Sequence, residues 1–136
     1  MSTVIRATIS KKNEYYISKH RYYELKHFCL QYPEWMKEYK AINYSVKGID
    51  PAKERFGENL DITSELAIRR EELRKKMEMV EQAALNTDPE LVDYILMAVT
   101  DGTSFEYLKM NKNIPCSRDM FYSRYRRFFK MLDCVR

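Results

Sequence analysis

The chain has 136 residues, 45% hydrophobic and 32% charged, with only 3 Gly and 4 Pro, which supports one helical domain with or without an appended helical arm and argues against a sheet-rich fold. No run approaches the roughly 20 apolar residues of a membrane span, and the opening "MSTVIRATISKKNEYY" has no apolar stretch of signal-peptide length, so the expectation is an intracellular protein that does not enter a membrane. The net charge of +4 is unevenly spread: from Thr103 onward eight Lys/Arg face three Asp/Glu, a local +5, and residues 1–102 carry −1, a distribution that points to a polyanionic partner.

Residues 1–44 form an N-terminal helical region, of which 1–14 are polar and carry no clear element. Ser18 has the chemistry of an N-cap, with Ile17 and Tyr22 placed as the two halves of a hydrophobic staple. From there Tyr22, Leu25, Cys29 and Tyr32, joined by Phe28, fall on one helical face. Pro33 opens a second helix, whose buried side is expected from Trp35, Met36, Tyr39 and Ile42. Residues 45–60 hold two of the three glycines and read as a linker, with a single helical turn after Asp50-Pro51.

A long central helix is expected over 61–87, capped by Asp61 or Thr63. Its apolar residues Leu66, Leu73, Met77, Val80 and Ala84 make a narrow stripe that Arg70 interrupts. Such a seam suits a two-helix contact, either within the chain or in a homodimer through residues 64–86. Residues 88–136 are punctuated as three helices. Asp88 caps the first, with Pro89 at its first position and Leu91, Tyr94, Ile95 and Ala98 on its apolar face, and Asp101-Gly102 ends it. Thr103 to Glu106 has the form of a capping box for a short second helix, and Ser117 caps the third.

That third helix poses the functional question. "IPCSRDMFYSRYRRFFKML" (114–132) mixes four arginines with five aromatic rings. At about 100° per residue, Phe121, Tyr125, Phe128 and Leu132 share one arc, widened by Tyr122 and Phe129. Met120, Ser123, Arg124 and Arg127 lie opposite, with Arg126 and Lys130 on a flank. The aromatic arc anchors the helix to a core and leaves the basic face for phosphates and base edges of double-stranded DNA, the geometry of a helix-turn-helix reader. Recognition helices enter the major groove by their N-terminal end, so Ser117, Arg118, Asp119, Met120, Ser123 and Arg124 are the base-edge candidates, and Arg127 and Lys130 the phosphate candidates. Thr103 and Ser104, at the start of the preceding helix, complete the set of DNA-binding residues.

No Gly-rich phosphate loop, HExxH, nucleophile elbow or paired-Cys motif occurs, and no enzyme is read here. Cys29, Cys116 and Cys134 are odd in number and far apart, and read as reduced thiols. Cys116, just ahead of a helix N-terminus, carries the one alternative of a more reactive thiol. His20, Glu24 and His27 recur at i, i+4 and i+7, but a zinc site normally takes a ligand from another element. The stripe reads as a solvated polar face, and no metal or cofactor is expected. The tyrosines at 22, 39, 94 and 125 sit on apolar faces, where core packing is their usual role.

The stretch "ILMAVTDGTSFEYLKMNKNIPCSRDMFYSRYRRFF" resembles the C-terminal promoter-reading part of bacterial sigma-70-type factors. The shared features are an apolar helix, the break at Gly102, the start at Ser104-Phe105-Glu106, and Ser117-Arg118-Asp119 at the head of the recognition helix. More of the chain, including "YYISKHRYYELKHFCLQYPEWMKEY", is similar to small phage and prophage regulators of the RinA/ArpU type. The resemblance implies a cytoplasmic, DNA-binding transcriptional regulator of late phage genes in a bacterial host, with host RNA polymerase as a further partner. Two other functions stay open from the residues: the DNA-recognition subunit of a phage packaging terminase, and a helical adaptor that binds only protein.

Overall fold

A computed structural model describes residues 11–47 and 58–136, the side chains of 45–47 and 58–63 excepted. Every regular element among the described residues is a helix, so the all-α expectation holds. In chain order these are α1 (Lys19–Leu30), α2 (Tyr32–Lys47), α3 (Glu58–Thr87), α4 (Val92–Asp101), α5 (Phe105–Lys112) and α6 (Arg118–Val135). None is long and apolar enough to cross a membrane.

The start of α1 follows its sequence signals. The Ser18 hydroxyl accepts from the Arg21 N–H at 3.3 Å, and Ile17 and Tyr22 are both buried. Helix α2 begins one residue ahead of Pro33, whose missing N–H costs nothing in a first turn. The 45–60 linker proves shorter than expected at both ends, since 45–47 belong to α2 and 58–60 to α3. Asp61 and Thr63 consequently lie inside α3 instead of capping it. Nothing from Glu58 to Thr63 is Gly or Pro, so once begun the helix has no local reason to stop. Residues 48–57, with the turn expected after Asp50-Pro51, lie outside the described residues.

Contacts group the chain into two compact units. One is Pro33–Glu78, α2 with the larger part of α3. Trp35, Ile42, Leu73 and Met77 are buried, the Lys76 ammonium lies 5.7 Å from the Trp35 ring, and Arg69 donates to both oxygens of Glu38, at 2.8 and 3.1 Å. The other unit combines the residues up to Tyr32 with Met79–Arg136. In it α1 packs on α4 and α6, and α4 on α6, while the Tyr32 hydroxyl donates to Glu81. Of the stripe residues, Leu73, Met77, Val80 and Ala84 are buried within the chain and Leu66 is half-buried, whereas Arg70 and Ile68 are exposed. From Leu73 to Ala84 the seam is therefore filled intramolecularly.

Two starts in the C-terminal region differ from expectation. Asp88 does not cap α4: its carboxylate accepts from the Glu90 N–H at 3.0 Å and its carbonyl from the Leu91 N–H at 3.2 Å. Asp at the first and Pro at the second position of a turn favour this local closure, so Asp88–Leu91 turn back and α4 waits until Val92. The capping box at Thr103–Glu106 is also not formed, because Ser104 is the N-cap of α5 and accepts from the Tyr107 N–H at 3.2 Å. The Thr103 N–H is already committed to the Met97 carbonyl at 3.4 Å, which closes the end of α4 around left-handed Gly102. Asn113 repeats the device after α5: at φ 51° it lets the Ile114 N–H reach the Leu108 carbonyl at 3.3 Å, with both apolar side chains buried.

A Cβ at Gly102 would meet nothing within 4 Å, so its φ of +70° is the only obstacle to a side chain there. Gly102→Ala should lower stability by about 1–2 kcal/mol, the cost of a left-handed L-residue, read as a shift in the urea midpoint with unchanged slope.

Candidate nucleic-acid interface

Helix α6 is held by its aromatic face. Phe121, Phe128, Phe129 and Leu132 are fully buried and Tyr125 nearly so. Phe129 is the hub, meeting Tyr22, Tyr125 and Phe128 edge-on at centroid distances of 5.0, 4.9 and 5.0 Å. Each such ring pair contributes about 0.5–1.5 kcal/mol beyond the burial itself. Phe105 at the head of α5 packs on Phe121 at 5.6 Å and ties the two helices of the turn together. The Tyr22 and Tyr125 hydroxyls share a hydrogen bond of 3.0 Å. Burial first, and the facing phenol second, pushes the Tyr125 hydroxyl well above its usual range, so Tyr125 stays neutral.

The exposed start of α6 carries most of the expected candidates. The Ser117 hydroxyl accepts from the Met120 N–H at 3.2 Å and is thereby spent as the cap. Arg118 is exposed, lying over the Tyr122 ring at 5.3 Å and donating to its hydroxyl at 3.3 Å, with Glu106 at 3.6 Å. Arg118 thus stays on the surface although its projected angle falls within the aromatic arc. Asp119 and Met120 are exposed, and Ser123 and Arg127 are half-buried. Arg127 has no hydrogen-bond or ion-pair partner among the described residues, which leaves its guanidinium available.

Two candidates are engaged otherwise. The Arg124 Nε donates to Asp88 at 3.0 Å, with the carboxylate only 13% exposed. That partly desolvated, charge-assisted bond ties α6 to the turn before α4. The Lys130 ammonium donates to the Tyr16 carbonyl at 3.2 Å, on the flank that α1 approaches. On the same flank Arg21 pairs with Asp133 at 2.6 Å, and the Arg136 guanidinium covers the Phe28 ring at 3.7 Å. Thr103 and Ser104 line a separate groove of about 460 Å³ with Met97, Asp101, Tyr107 and Lys112.

Arg126 escaped the sequence reading. It lines an open groove of about 410 Å³ with Ser123 and the turn Lys12–Tyr15. The helical wheel puts Arg126 on a flank, but nothing local announces that residues more than a hundred positions earlier complete the wall.

The remaining constellations dissolve. No three His, Cys, Asp or Glu side chains among the described residues are grouped as a metal site would need. Glu24 pairs with Arg21 at 3.6 Å, and His27 stacks on Tyr23. Burial, and then the nearby Asp88 carboxylate, push the Cys116 thiol up, which disfavours the alternative of an activated thiol. No family model matches the chain, and comparison with curated proteins and with solved structures finds no match either.

Phe128→Ala should cost about 3–5 kcal/mol and unfold the α1/α4–α6 unit, followed by loss of the near-ultraviolet aromatic dichroism. Burial raises the Cys29 thiol to about 12, whereas Cys134 is exposed. A thiol reagent at mildly alkaline pH should label Cys134 first and reach Cys29 only on unfolding, as peptide mapping would show.

Proposed function

We propose that this chain binds double-stranded DNA and regulates transcription of phage or prophage late genes, with α6 as the reading helix. The observation that carries this reading is the division of α6 into a fully buried aromatic face and an outward face rich in donors at its N-terminal turns. The buried rings fix the rotation of the helix, so Arg118, Asp119, Met120 and Ser123 present to base edges, and Arg127 to a backbone phosphate. Ser117 contributes through the cap. Arg124 sets the pose of α6 through Asp88, and Lys130 adds positive potential on the flank. Thr103 and Ser104 serve a phosphate beside the start of α5 in the same scheme.

Host RNA polymerase and a second copy of the chain belong to this proposal as partners. Because Leu73, Met77, Val80 and Ala84 are buried in the chain itself, a homodimer through residues 64–86 would use the exposed side of α3. The adaptor reading draws on Tyr107 and Met110 of α5, which are 50% and 82% exposed and would suit a protein partner.

Fluorescence anisotropy at two salt concentrations, with duplexes selected by the parent protein from a random pool, separates these readings. Arg118→Ala should cost about 1–3 kcal/mol on the selected site and little on other sequences. Arg127→Ala should weaken all duplexes alike and lower the salt slope by about one. Binding by folded Arg118 and Arg127 variants as tight as that of the parent, or no binding by the parent, gives the function to the adaptor reading.

A further inference from the structure

The groove between α6 and the turn ahead of α1 has a chemistry that the reading face does not account for. Its lining is Lys12, Asn13, Glu14, Tyr15, Ser123 and Arg126, two cations against one carboxylate, with a hydroxyl and an amide among them. The Arg126 Nε is buried and finds no acceptor, and no carboxylate or carbonyl among the described residues takes a hydrogen bond from the rest of its guanidinium. A buried donor left unpaired is costly, and native proteins rarely keep one without a partner. The Asn13 side-chain oxygen accepts from the Tyr15 N–H at 2.9 Å, which leaves its amide NH2 as a further donor. The Arg126 guanidinium therefore lacks an acceptor among the described residues, in a lining with two cations and a single carboxylate. At about 410 Å³ and open to solvent, the groove admits a tetrahedral oxyanion readily.

We propose that this groove is a seat for a phosphate group, held by the Arg126 guanidinium and the Ser123 hydroxyl, with Lys12 adding positive charge to the lining. The Nε–Nη edge of an arginine matches two oxygens of a phosphate, and rotation about the last side-chain torsions turns that edge into the groove. Glu14 at the rim lowers the net charge to that of a single cation, which favours one phosphate over an extended polyanion track. The seat itself does not depend on the DNA reading, but where that reading holds the group is a backbone phosphate beside the α6 contacts. A free phosphate or phosphate monoester offers the same oxygens.

Arginine Nε–H and backbone amide signals in 15N-edited spectra of the full chain test this. Inorganic phosphate and, separately, a DNA duplex are titrated into the parent and into Arg126→Gln. The seat requires that at least one probe moves the Arg126 Nε–H and Ser123 amide signals saturably, that the Arg118 Nε–H does not follow in the phosphate titration, and that the Ser123 response is lost in Arg126→Gln. The source is the DNA backbone if the duplex moves them and Arg126→Gln lowers the salt slope of DNA binding by about one. It is a free phosphate if only inorganic phosphate moves them, an outcome in which the seat stands while the Arg118 and Arg127 titrations decide the DNA reading separately. Signals unmoved by either probe, or a uniform drift of all arginines with phosphate, overturn the seat. Arg126→Lys keeps the charge without the fork, so weaker but saturable binding there confirms bidentate capture.

Discussion

Everything that α6 presents to solvent depends on the way its rings are buried. Phe129 packs edge-on against three other aromatic rings, and the Tyr22–Tyr125 hydroxyl pair lies at the edge of that cluster. Edge-to-face packing is directional, and a buried phenol pair tolerates little displacement without stranding a hydroxyl. Together they fix both the rotation of α6 about its axis and its position along it. A smooth aliphatic face of equal area would hold the helix as tightly but would leave its rotation less defined. Under the proposed DNA reading the outward face has a pattern to match, and the rings supply that definition.

The same packing sorts the positive charges by task. A count of basic residues along the last quarter of the chain treats all of them alike. In the fold Arg124 bridges to Asp88, Lys130 holds the Tyr16 carbonyl, Arg136 lies over Phe28, and Arg118 stacks on Tyr122. Arg127 has no hydrogen-bond or ion-pair partner among the described residues, and Arg126 lines a groove while its Nε is an unmet donor. Charges spent on internal partners still contribute to the potential around α6, but they are not free to reorganise around a ligand.

Helix content, the staple at Ile17 and Tyr22, the break at Gly102 and the inward arc of α6 were legible because each rests on neighbours within a turn or two. The starts of α4 and α5 were misjudged where one residue had two local uses. Asp88 closes a turn before it can cap a helix, and the Thr103 N–H closes the helix behind it, which hands the next cap to Ser104. Hydrophobic spacing could not show that α1 joins the C-terminal helices, nor that the Lys12–Tyr15 turn walls a groove on α6, because both depend on contacts across most of the chain. The narrow stripe of α3 was visible, but whether it closes within the chain depends on tertiary packing that periodicity does not encode.

The contacts of α1 and the turn ahead of it with α6 span very long stretches of chain: Arg21 to Asp133 is 112 residues, Tyr22 to Tyr125 is 103, and Tyr16 to Lys130 is 114. At about 5–20 residues per second, ribosomal synthesis leaves roughly 5–20 s between the appearance of α1 and that of its partner. Throughout that interval Leu25, Phe28 and Cys29 lack the α6 side of their packing, while α2 and the first part of α3 can already pair through contacts closer in sequence. Helix α1 is therefore made long before it can be completed, and it needs chaperone cover on the nascent chain until α6 emerges. A stop codon ahead of α6 leaves α1 as incomplete as the region it removes.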